Sequence, residues 1–90
     1  MARLKMLVLD VLKPSEPSIV DMAKKLGEMD GVDGVEISVL EIDRRVETVK
    51  ITLEGSSLNF EKINAALDRY GATIHSIDKV ASGKKLINPS

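Results

Sequence analysis

Asp10, His75 and Asp78 are the residues of this chain whose types and placement best suit chemistry. Asp10 interrupts the otherwise aliphatic stretch Lys5-Met6-Leu7-Val8-Leu9-Asp10-Val11-Leu12-Lys13-Pro14, and His75, the only histidine, stands three residues before Asp78. A carboxylate in an aliphatic ribbon is costly to desolvate unless a cation, a donor or water meets it. Carboxylate, imidazole and carboxylate together form a ligand set for a divalent cation, and oxygen ligands alone suit calcium or magnesium. The metal reading therefore joins Asp10, His75 and Asp78. A structural reading competes with it, in which Asp10 pairs with Lys50 or with an arginine or lysine of a neighbouring subunit. A third makes Asp10 and His75 the acid–base residues of a small enzyme with an interface active site, which requires both to reach one substrate.

Several other chemistries are excluded. The chain has no cysteine, so disulfides, thiolate metal sites and cysteine nucleophiles are absent. One histidine rules out a site needing two imidazoles within a single chain. Ser56, Ser57, Ser76 and Ser82 have no histidine at a recognisable spacing, and no glycine-rich phosphate loop is present, so no catalytic residue is assigned. The acidic stretch from Glu28 to Val35 lacks the spacing of a twelve-residue calcium loop and reads as a solvated turn. Thirteen basic and 14 acidic residues give a net charge of -1, which argues against nucleic acid or an anionic membrane as partner. Phe60 and Tyr70 are the only aromatics, too few for a base-stacking platform. No apolar run approaches the roughly 20 residues of a membrane-spanning helix. The N-terminal run is broken by Asp10 and by Lys13-Pro14, so it reads as a strand of the mature protein rather than a signal peptide, and the cytoplasm is the default location.

The elements that must position these residues follow from periodicity. The Lys5–Pro14 stretch has the length and apolarity of a strand buried on both faces. Pro14 and Pro17 end it and open a helix from about Pro17 to Met29, capped near Ser15 or Glu16, with Ile19, Met22, Ala23 and Leu26 on one face. Val35, Ile37 and Val39 alternate with Glu36, Ser38, Leu40 and Ile42 in a second strand. After the turn Asp43-Arg44-Arg45, Val49, Ile51 and Leu53 alternate with Thr48, Lys50 and Thr52 in a third strand, completing a hairpin. Asn59 caps a second helix that Leu58 staples onto Ile63, and Gly71 ends it. The last strand runs from Ala72 to about Ala81. Ile74 and Ile77 are three apart there, which predicts a bulge or an early end near His75 and Ser76.

This order predicts one α+β domain over residues 1–90, a ferredoxin-like βαββαβ fold with its core at about 4–82 and a polar tail at 83–90 that a neighbouring subunit orders. Right-handed crossovers place two helices on one face of a four-stranded antiparallel sheet, with strands one and three central. Strand parity then assigns Leu7, Leu9 and Val11 to the core, and Met6, Val8, Asp10, Leu12, Leu40, Ile42 and Lys50 to the helix-free face. Such a face predicts a subunit interface, or else a ligand surface, and the edge strands offer a second route to association.

The strand Val8-Leu9-Asp10-Val11-Leu12-Lys13-Pro14, the loop Gly31-Val32-Asp33-Gly34-Val35, the segment Leu40-Glu41-Ile42-Asp43 and the ending Tyr70-Gly71-Ala72-Thr73-Ile74-His75-Ser76-Ile77-Asp78 also resemble a small archaeal family. That family is catalogued as domain of unknown function 211, and the similarity extends from about Leu4 to Gly83. The resemblance implies a ferredoxin-like fold, a cytoplasmic archaeal protein and ring-like homo-oligomers, with no established activity. The expected function is thus a homo-oligomeric binding or regulatory module holding a small ligand or a divalent cation at its subunit interfaces.

Overall fold

Six elements form in the expected order in the computed structural model, which describes residues 2–84: β1 (Leu4–Lys13), α1 (Ile19–Gly27), β2 (Gly34–Ile42), β3 (Glu47–Glu54), α2 (Phe60–Arg69) and β4 (Thr73–Ser82). The strands make one antiparallel sheet in the order β2-β3-β1-β4, so β1 and β3 are central and the fold is ferredoxin-like. The expected polar tail lies outside the described residues from position 85 onward.

Parity on the two central strands holds without interruption from Met6 to Lys13 and from Glu47 to Glu54, while Lys5 is an extra residue against β4 at the start of β1. Leu7, Leu9 and Val11 pair with Leu53, Ile51 and Val49. These six meet Met22 and Leu26 of α1 and Ile63, Ala66 and Leu67 of α2 in one buried cluster. The single apolar stripe of each helix explains this arrangement, since a stripe has to be covered and the sheet is the only surface wide enough to cover both.

α1 is shorter than its periodicity suggests. Ser18, rather than Ser15 or Glu16, caps it by accepting a hydrogen bond from the Asp21 amide at 3.2 Å. Pro17 follows a cis peptide bond and lies in the connection, not in the first turn. At the other end the Met29 amide donates to the Leu26 carbonyl at 3.2 Å, a tighter turn that stops the helix before Met29. α2 begins as expected, with the Asn59 side chain accepting from the Lys62 amide at 3.0 Å and Leu58 and Ile63 both buried. Gly71, at φ +76°, supplies the left-handed turn after it.

The loops before β2 and after β3 meet backbone to backbone. A Cβ on Gly55 would strike the carbonyl of Gly31, and one on Gly31, at φ +85°, would strike the carbonyl of Ser57. Only glycine fits at either position.

Both edge strands carry bulges. On β4, Val8 pairs with Lys79 but Leu9 with Ile77, and Asp10 pairs with Ser76 but Val11 with Ile74, so Asp78 and His75 are each an extra residue. The second of these lies where the spacing of Ile74 and Ile77 places it. On β2, Val39 pairs with Val49 and Glu41 with Thr48, which makes Leu40 an extra residue that nothing in the sequence announces.

Candidate functional site

The register lays out the helix-free face row by row. Ser38, Lys50, Asp10 and Ser76 form one row across the sheet; Glu36, Thr52, Val8 and Lys79 form the next. Glu41, Thr48, Leu12 and Thr73 make a third, on the other side of Asp10. The face is therefore polar, with Met6, Val8 and Leu12 as a narrow apolar stripe on β1 alone. This corrects the expectation that Ile42 adds to the apolar part of that face. The Leu40 bulge shifts parity by one, so Glu41 takes the open-face position, and Ile42 pairs with Glu47 in the same row as Lys13, on the helix side. Met6 is only 3% exposed within one chain and offers almost no surface for contact.

At the centre of this face the Lys50 ammonium lies between two carboxylates, 3.6 Å from Asp10 Oδ1 and 3.2 Å from Asp78 Oδ2. Asp78 Oδ1 in turn accepts a hydrogen bond from the Ser76 hydroxyl at 2.8 Å. That hydroxyl, followed by the Lys50 ammonium, holds the Asp78 carboxyl below the usual carboxylate range. The hydrogen bond from Lys50 to Asp78, with the Asp10 charge next, raises the lysine above its usual value. Asp10 Oδ1 is buried and accepts no hydrogen bond among the described residues, since 3.6 Å gives electrostatic attraction without a bond.

The pairing of Asp10 with Lys50 foreseen from the sequence is thus present, and it occupies the space the metal reading needs. Among the described residues no three of histidine, cysteine, aspartate and glutamate are gathered closely enough to hold a metal ion. His75 does not join Asp10 and Asp78. It is the exposed extra residue of a bulge, whereas the partners of Asp78 are Ser76 and Lys50. Along the strand, His75 stands next to Ser76, the register partner of Asp10.

Three features escaped sequence reasoning. Lys13, which reads as a strand stop, is fully buried on the helix side. Its ammonium donates to Glu47 Oε1 at 3.1 Å and to the Pro14 carbonyl at 2.6 Å. Its odd position, in step with Leu7, Leu9 and Val11, is the signal that was available. The second is a cleft of about 1060 Å³ at the opposite end of the sheet, lined among others by Arg3, Leu4, Met29, Asp30, Phe60 and Lys62. Its walls mix both signs of charge and include no member of the Asp10 group.

The third is apolar surface at both rims of the sheet, of which the sequence pointed only to Leu40 and Ile42. Helices of nine and ten residues are about 14–15 Å long, roughly half the span of the strands beneath them. They leave Val39 41%, Leu40 51% and Ile42 69% exposed on β2, with Val46 beside them, and Ile77 49% and Val80 55% exposed on β4. No helix among the described residues is long and apolar enough to cross a membrane.

Comparison with known proteins gives the same picture of a family without an assigned activity. An uncharacterized protein of the archaeon Methanocaldococcus jannaschii is 51% identical over 84 residues, which is 93% of this chain and 87% of that protein. The profile of the family described as "Uncharacterized ArCR" matches residues 5–90, nearly the whole length. The chain belongs to this uncharacterised family, domain of unknown function 211.

Proposed function

We propose that this protein is a homo-oligomeric binding module, whose subunits meet through the apolar rims and whose open sheet face presents the Asp10, Lys50 and Asp78 group to a small ligand or a divalent cation at the subunit contacts. The observation that carries the reading is the clustering of exposed aliphatic side chains. Val39, Leu40, Ile42 and Val46 fall within one hairpin, where scattered single residues would need no explanation. A chain of 90 residues buries only about 60–70% of its unfolded surface, so covering these rims adds to a modest core. The ligand-binding part rests on analogy with ferredoxin-like regulatory domains and on the unmet Asp10 oxygen. A divalent cation bridging Asp10 and Asp78 has to displace the Lys50 ammonium.

Native mass spectrometry at micromolar concentration tests the assembly. A mass that is a multiple of one chain is expected. A single-chain mass at that concentration sinks the reading.

A further inference from the structure

We infer that the end of the sheet where β1 begins and β4 finishes carries an anion site, in which Arg3, Lys5 and Lys84 hold the phosphoryl group of a small phosphorylated molecule. The site shares no residue with the Asp10 group, whose acids suit a cation, and it stands independently of the function proposed above.

The backbone gathers these cations by separate means. Leu4 pairs with Ser82, and beside that pair the Arg3 carbonyl accepts from the Gly83 amide at 2.9 Å and from the Ser82 hydroxyl at 3.0 Å. Lys5 is the extra residue between Leu4 and Met6, and its ammonium donates to the Ser56 carbonyl at 2.9 Å. Gly83, at φ +127°, takes a conformation that side chains disfavour, and Lys84 follows that turn. The result is one hollow of about 320 Å³ lined by Arg3, Lys5 and Lys84 together with Ala2 and Gly83.

Charge then selects the occupant. None of the described residues lining the hollow is acidic, and none of its three cations forms an ion pair among the described residues. Like charges held together repel until a counter-charge arrives. Asp33 and Glu54 line an adjoining hollow that shares Lys5 and Lys84, so they oppose those two lysines from one side and leave Arg3 unopposed. A phosphoryl group brings three acceptor oxygens, which suit the fork of a guanidinium together with the protons that the Lys5 ammonium does not spend on Ser56.

The hollow also shares Ala2 and Arg3 with the larger cleft, whose wall includes Met29 and Phe60. The cleft's own charges, Arg3 and Lys62 against Asp30 and Glu61, balance, so the phosphoryl group belongs in the hollow and its organic body in the cleft. A bare inorganic ion has no use for that second surface.

Calorimetric titration of the full chain with pyrophosphate, ADP and adenosine, at constant ionic strength and without divalent metal, tests the site. ADP is expected to bind more tightly than pyrophosphate, and adenosine not at all. Arg3→Gln and Lys84→Gln, both at exposed positions, should each weaken ADP by about tenfold. Lys24→Gln removes the same charge from α1 and should leave the affinity unchanged. Absence of binding by both phosphates overturns the site, as does adenosine bound as tightly as ADP. Affinity that neither Arg3→Gln nor Lys84→Gln lowers overturns it too, and so does an equal loss in Lys24→Gln, which would assign the attraction to overall charge. Pyrophosphate held as tightly as ADP overturns the organic body in the cleft.

Discussion

Lys13 and Lys50 pair with carboxylates on opposite faces of the same sheet, and their surroundings give them opposite parts to play. Lys13 is enclosed, and Glu47 and the Pro14 carbonyl both accept from its ammonium, so charge and hydrogen-bonding capacity are answered within the chain. Lys50 is shared between two acids on the open face, 40% of its side chain is exposed, and one of those acids keeps a buried oxygen with no hydrogen bond. A closed ion pair fixes structure. An ion pair with spare acceptor capacity can exchange its cation for another group.

The sharpest way to break this contrast is to remove Glu47. Glu47→Ala strands a buried ammonium and is expected to lower unfolding stability by roughly 3 kcal/mol, measured by urea denaturation. The joint change Lys13→Met with Glu47→Leu, which removes both charges, should recover most of that loss. A stability equal to that of Glu47→Ala alone would show that the pair holds the fold by more than charge compensation.

The open face should respond in binding rather than in stability. Lys50→Ala leaves Asp10 and Asp78 without their shared cation, so calorimetric titration with calcium or magnesium should show binding stronger than in the wild type. Equal heats in both proteins would mean that the carboxylates do not converge once the lysine is gone.

The smallest effect concerns protonation. Ser76→Ala removes the hydroxyl that does most to depress the Asp78 carboxyl, and its pKa, followed by NMR, should rise toward the usual range. The sign for stability follows from linkage. Asp78, depressed on folding, contributes above its unfolded pKa and loses that contribution as pH falls through its lowered folded value. Lys50, raised on folding, contributes below the ordinary lysine value of 10.5 and loses its part as pH climbs through the raised one. The open-face pair is thus intact throughout the neutral range and fails only at the two extremes.

Much of this was legible in the sequence because β1 from Met6 onward and β3 alternate without interruption, and uninterrupted parity fixes faces and neighbours together. Leu7, Leu9 and Val11 had to face the helices, which put Asp10 on the other side within reach of Lys50. The bulge at His75 on β4 was legible too, since two isoleucines three apart cannot share a regular face, whereas the one at Asp78 was not. The Leu40 bulge was not, because Glu41 and Ile42 continue an acceptable alternation and only the pairing with β3 shows the slip. Lys13 was misread for a related reason. A charged residue before proline resembles an ending, and only the chain folding back after Pro14 and the arrival of Glu47 make its burial tolerable. The rims were hidden because their exposure depends on how far each helix reaches, and α1 proved shorter at both ends than its apolar spacing suggests.

The contact between Gly31 and Gly55 bears on how this sequence can drift. Each glycine is needed because of where the other's loop passes, so a side chain at either one pushes apart the connections that lead into β2 and out of β3. Neither position has a tolerated first step, and a compensating change at the other does not help, since the obstacle at Gly55 is a main-chain carbonyl that every residue type carries. Substitution there becomes accessible only after an insertion or deletion has re-routed one loop. Relatives that keep both loop lengths should therefore keep both glycines, and one that has lost either should show a changed loop length close by.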